Sequence, residues 1–184
     1  MKKAFLAVAS CALALVSGCT SYTWGTSVPA EFRTVAVPVF ENLTDVSELG
    51  PITTQYTLRE FQREGTFRIA GTDDAAIEVQ GTLKMSDREG IAYDRGAGMR
   101  ATEYRYTVVA DVVYVDKKNG RTLLERRGMT AETTFLANND LLTGQKNAAQ
   151  RIAADFARQI VNDAVALPFV RGCRGTGAVE GVQK

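Results

Sequence analysis

The stretch Ala75-Ala76-Ile77-Glu78-Val79-Gln80-Gly81-Thr82-Leu83-Lys84-Met85-Ser86 alternates small or apolar side chains with mostly polar ones. Successive side chains of an extended chain point to opposite sides, so this period predicts a strand with one buried face. The pattern returns downstream, with Tyr104, Tyr106, Val108, Ala110, Val112 and Tyr114 set against Arg105, Thr107, Val109, Asp111 and Val113. Lys117-Lys118-Asn119-Gly120 then predicts a hairpin turn, because Asn-Gly tolerates positive φ. A third long strand is expected from Arg121 to Phe135, with a bulge near Gly128 where the alternation slips.

Before these strands, Arg33 to Phe40 alternates as well, placing Val35, Val37 and Val39 on one side. Pro38 has no N–H to give a ladder, so this strand should lie at an edge or leave that position unpaired. Glu41-Asn42-Leu43-Thr44-Asp45 reads as a turn. Pro51 suits the first turn of a helix running to about Glu64, with Ile52, Tyr56 and Phe61 inward and Gly65 as its stop. Phe67 to Ala70 completes a strand-helix-strand unit, whose right-handed crossover would set its two strands parallel. The chain closes with a helix from Leu142 to Leu167, ended by Pro168. Its apolar stripe is Ala149, Ile152, Ala153, Phe156, Ile160, Ala164 and Leu167. The order β-α-β-β-β-β-α predicts a two-layer α/β sandwich of the α+β kind, a mixed but mostly antiparallel sheet with two helices on one face.

The 184 residues are 45% hydrophobic and 23% charged, which argues against disorder and suits one folded domain. Lys plus Arg number 22 and Asp plus Glu 21, a balance that excludes a nucleic-acid grip through a broad basic face. Histidine is absent. An enzyme reading would have to do without the side chain most used for proton transfer near neutrality, and no paired carboxylates or nucleophile motif replace it.

Met1-Lys2-Lys3 followed by the apolar run Ala4 to Val16 has the form of an export signal, too short for a mature membrane span. It runs into Val16-Ser17-Gly18-Cys19, which resembles the bacterial lipobox whose cysteine receives diacylglycerol. Residues 1–18 are then the signal peptide, 19–31 a tether, 32–170 the folded domain and 171–184 a flexible Gly-rich tail. Loss of Lys2 and Lys3 with the signal leaves 20 of the 22 basic residues against 21 acidic ones, a nearly neutral body. More than one acyl chain on Cys19 would anchor it, at about 0.8 kcal/mol per buried methylene. Thr20 replaces the Asp that resembles an inner-membrane retention signal, which points to the outer membrane. Cys11 leaves with the signal and Cys19 takes lipid, so Cys173 has no intramolecular partner; it is either a bystander thiol or an intermolecular one.

Three clusters invite a chemical reading. Asp73, Asp74 and Glu78 lack the spacing of a calcium loop and read as a solvated turn. Gly96-Ala97-Gly98 is followed by no helix start, so phosphate cradling is rejected. The connection Ser86 to Thr102 is long for a hairpin and carries Arg88, Arg95 and Arg100, with Arg105 just beyond. Guanidinium forks suit phosphates and carboxylates, although Asp87, Glu89 and Asp94 offset them and a self-paired hairpin is the plainer reading.

Several segments resemble one family, the lipopolysaccharide (LPS)-assembly lipoproteins, LptE-like. They are Val16-Ser17-Gly18-Cys19 with Tyr22, the run Val35 to Thr44, Leu58 to Ile69, Asp74 to Leu83 and Ala153 to Val161. The resemblance implies a non-enzymatic lipoprotein without cofactor or metal, lipid-anchored on the periplasmic side of the outer membrane. It would plug and help assemble an LptD-like, LPS-translocating β-barrel and assist LPS insertion into the outer leaflet. Barrel interiors are polar, as a plug's surface should be. Under this reading Arg88, Arg95, Arg100 and Arg105 are candidate LPS contacts. The run Val35 to Asn42 also resembles TolB-like and curli-secretion-like lipoproteins, including activators of penicillin-binding proteins; three long strands ahead of one terminal helix favour the first family.

Overall fold

A computed structural model describes residues 28–94, 100–137 and 141–167. The folded body begins by Val28, which is buried, and a 3₁₀ turn at Ala30–Phe32 leads into the sheet. Strands β1 (Thr34–Ala36), β2 (Glu41–Asn42), β3 (Arg68–Ile69), β4 (Ile77–Asp94), β5 (Arg100–Asp116) and β6 (Arg121–Leu136) form a mixed sheet. Helices α1 (Leu49–Glu64) and α2 (Leu141–Val165) complete it. The strand order is β3-β1-β4-β5-β6, with β2 on the same flank of β4 as β1. β1 and β3 are parallel, as the crossover through α1 demands, and the three long strands are antiparallel. The expected class and order hold, with β2 added.

That extra strand has a physical cause. The predicted strand 33–40 breaks after Ala36, so Pro38 never enters the ladder, and pairing resumes at Glu41 opposite Thr82. The restart is out of phase with the first half. Val35 is buried and Val37 packs partly on the core, but Val39 is 70% exposed and Phe40 turns inward instead. Phe40 lies over Gly81, where an added Cβ would come 2.7 Å from its ring, and its N–H donates to Thr54 Oγ1 at 2.9 Å.

Helix α1 starts two residues before Pro51 and stops at Gly65, whose φ of 81° is open to glycine at low cost. Its buried face differs from the predicted one. Leu49, Thr53, Thr54, Thr57 and Phe61 face inward, while Ile52 and Tyr56 are only partly covered, Tyr56 beneath Arg59. Threonine serves here because Thr54 and Thr57 return their hydroxyl protons to the carbonyls of Gly50 and Thr53. Every residue of the predicted stripe is buried, Leu167 lying just past the end of α2. Tyr114 on β5 donates to the Ile160 carbonyl at 2.8 Å, tying α2 to the sheet, and burial drives its phenol pKa upward.

Two of the register shifts among the long strands meet at one side chain. Lys84 has no partner in the β4–β5 register, and Arg127 with Gly128 together oppose Asp111 of β5. Gly128 takes φ 66°, as the predicted bulge needs. The Asp111 carboxylate accepts the Gly128 N–H at 2.8 Å and pairs with Lys84 Nζ at 3.0 Å; those contacts, Gly128 first, lower its pKa. The Lys84 bulge flips the phase of β4. Met85, expected inward, is 54% exposed, while Ser86 takes the helix side opposite Val108.

The predicted long loop Ser86–Thr102 is largely strand: β4 runs on to Asp94 and β5 starts at Arg100. The face away from the helices holds cross-strand pairs, Arg105 with Glu89 and Glu132, and Lys117 with Glu78. No helix among the described residues is long and apolar enough to cross a membrane.

Candidate functional site

Beyond Lys84, β4 carries polar side chains on its helix face, and α2 begins opposite them. The turn after β2 closes the third side. Asn42 builds that turn: its Oδ1 accepts from the Thr44 N–H and hydroxyl, and its Nδ2 donates to the Val46 carbonyl at 2.8 Å. Asp45 is thereby delivered to Ser86, whose hydroxyl donates to it. Between these walls lies an open cleft of about 460 Å³ lined by Asp45, Glu48, Arg88, Gln145 and Lys146, with apolar Val46, Leu142 and Ala149.

Tyr106 is wholly buried behind the cleft. Burial raises its pKa against the lowering influence of the nearby Ser86 and Gln145 side chains, and its hydroxyl has no hydrogen-bond partner among the described residues. Arg88 Nη1 donates to Gln145 Oε1 at 2.7 Å. That partner is informative. Arg63, Arg105, Arg126, Arg127 and Arg158 face carboxylates, whereas this bond of Arg88 goes to a neutral amide, as those of Arg33 and Arg151 go to neutral oxygens. Lys146 adds a second cation, and α1 and α2 both begin beside the cleft, presenting their positive ends. Asp45 and Glu48 counter this charge from one side, so the cleft is bipolar, with the cations on β4 and α2.

Of the four arginines singled out by sequence, the three among the described residues are not brought together. Arg88 lies on the helix side of β4 and Arg105 on the opposite side, held by Glu89 at 3.3 Å and Glu132 at 3.7 Å. Arg100 pairs in register with Asp94 at the hairpin's far end, and Arg95 lies outside the described residues, as do Cys19 and Cys173. Sequence reading missed Lys146 and Gln145; their only local signal is polarity on the first turns of a helix whose later turns are apolar. Among the described residues no group of His, Cys, Asp or Glu is placed to hold a metal ion. Glu78 is instead bonded to Lys117 at 2.8 Å and Gln80 at 2.7 Å.

A mixed sheet covered on one face by two helices, with an open polar cleft at one end, defines a small α+β domain. The lipopolysaccharide-assembly family LptE matches residues 32–164, and the chain belongs to that family. Its members are non-enzymatic. No curated protein matches the chain. Solved structures share the fold at low identity. A protein from Xanthomonas campestris has a TM-score of 0.51 and 10% identity, covering 76% of this chain and 89% of its own. A protein from Caulobacter crescentus has a TM-score of 0.50 and 16% identity, covering 70% and 88%. Rare lipoprotein B from Shewanella oneidensis is at 0.47 and 12%, covering 72% and 94%.

Proposed function

We propose that the chain is anchored by lipid on Cys19 to the periplasmic side of the outer membrane. There it seats in an LptD-like, LPS-translocating β-barrel, helps that barrel assemble and assists LPS into the outer leaflet. The family match over residues 32–164 is the observation that carries this reading. The surface suits it: the sheet's outer face carries charged cross-strand pairs, which a polar lumen accommodates.

Within this reading Arg88 and Lys146 are the first contacts for the anionic groups of LPS, because their cleft combines cations with apolar Leu142 and Val46. Arg100, at the far end of the same hairpin, extends the contact, and Arg95, outside the described residues, is proposed with it. Arg105, occupied by two carboxylates, contributes least. Depletion of the chain should leave the barrel misassembled and LPS scarce at the surface. A photoreactive residue at position 88 should crosslink to LPS or barrel. Normal barrel assembly and LPS display after depletion would refute the proposal.

A further inference from the structure

β6 ends the strand order, so one of its sides has no neighbouring strand. A sixteen-residue edge is an invitation to any other extended chain. The direction of its backbone groups can be read. Ala137 donates its N–H to the Thr102 carbonyl at 2.9 Å, toward β5, and alternate residues of a strand point their amides to opposite sides. Thr130, Glu132 and Thr134 therefore direct theirs away from the sheet.

Side chains already occupy this row. Arg151 Nη2 donates to the Thr134 carbonyl at 2.7 Å, and its Nε to Thr133 Oγ1 at 3.2 Å. Gln159 Nε2 donates to the Thr130 carbonyl at 3.4 Å, and the Thr130 hydroxyl donates to the Gly128 carbonyl at 3.2 Å. The spacing fits: Arg151 and Gln159 are about 12 Å apart along the helix, and Thr134 and Thr130 about 13 Å apart along the strand. Helix α2 thus runs antiparallel to the edge with two long side chains laid across it.

We propose that Arg151 and Gln159 guard the edge of β6 against strand addition by a second copy of this chain. The edge is self-complementary in the way such a pairing needs. In a two-fold antiparallel arrangement centred on Glu132, Thr130 of one copy faces Thr134 of the other, and these are the two carbonyls the guard occupies. Nothing in this inference depends on the barrel or on LPS.

The test is sedimentation of the full chain in detergent. The native sequence should sediment as one chain, and Arg151→Ala with Gln159→Ala as two. Adding Glu132→Pro, which removes an outward N–H and no ladder bond, should return the double variant to one chain. A double variant that stays monomeric overturns the proposal, as does association that survives the proline. Should circular dichroism show the double variant unfolded, Arg151→Lys decides: it keeps the stem and charge but loses the second donor. A dimer fraction above that of the native sequence supports the guard, and an unchanged monomer overturns it.

Discussion

Strand β4 has two regions divided at Lys84, the partner of Asp111. Below it, Ile77, Val79, Gly81 and Leu83 of β4 and Val112 and Tyr114 of β5 are fully buried against the helices. Above it, β4 offers Ser86 and Arg88 to the helix side, where they meet Asp45 and Gln145, while Tyr106 and Val108 of β5 and Ala131 and Phe135 of β6 stay buried. Strand β4 therefore holds the fold at one end and presents polar chemistry at the other. The paired bulges at Lys84 and Gly128 mark the exchange, both bound to the same carboxylate. Core packing and exposed polar groups are separable here because they occupy different lengths of β4.

Substitutions in the lower region should break it. Phe156 on α2 is wholly buried, and Phe156→Ala should cost about 3–5 kcal/mol, read as a lowered midpoint of urea unfolding. Gly81→Ala places a Cβ 2.7 Å from the Phe40 ring, with Phe40 itself fixed by Thr54. That overpacking should cost about 1–3 kcal/mol, and Phe40→Leu should recover part of it if the ring is the obstacle. Tyr114→Phe removes only the bond to the Ile160 carbonyl, a loss of about 0.5–1.5 kcal/mol in the same assay.

The pH dependence of this region rests on Glu78. Its hydrogen bond to Lys117, then that to Gln80, holds its pKa below the ordinary 4.5 against the opposing pull of burial. A carboxylate depressed in the folded state stabilises above its unfolded pKa, and that contribution disappears as pH falls from 4.5 through the folded value. Glu78→Gln should therefore flatten the acid limb of the stability curve. The difference from the native sequence should be about 1 kcal/mol or less near neutrality, since Lys117 is partly exposed, and should close in acid.

The lower region was legible and the upper one was not, for a reason of burial. Alternation is written into sequence when one face meets a core, and Ile77 to Leu83, Tyr106 to Tyr114 and the α2 stripe all satisfy that condition. Ser86 to Asp94 continues as strand with no fully buried residue, so its polar composition reads as loop. The Gly128 bulge was visible through its glycine. The one at Lys84 was silent, because a bulged lysine differs in nothing from a paired one. Pro38 announced a gap in the ladder but not the change of phase after it, which exposed Val39 and buried Phe40. The threonine face of α1 was missed because threonine counts as polar until its hydroxyl is bonded back into the helix. The cleft had no local motif at all: its walls come from 45–48, 86–88 and 142–149, joined only by the fold.

The upper region is sharpened by reversing two charges one strand apart. Arg88 is exposed, and its one bond to Gln145 is to a neutral group, so Arg88→Glu should change unfolding free energy by about 0.5 kcal/mol or less. It also puts a third carboxylate beside Asp45 and Glu48, which should repel any anion from the cleft. LPS display in a depleted strain complemented with this variant should fall while the protein remains folded. Arg105→Glu is the control, because it sets three carboxylates together on the opposite face, where Glu89 and Glu132 already sit. Its stability loss should equal or exceed that of Arg88→Glu, with LPS display retained. Equal loss of display in both would mean that charge anywhere on the hairpin suffices and that the cleft is no contact site. Retained display in Arg88→Glu would assign the cleft to turn architecture, with Asn42 and Asp45 bracing β4 and nothing more.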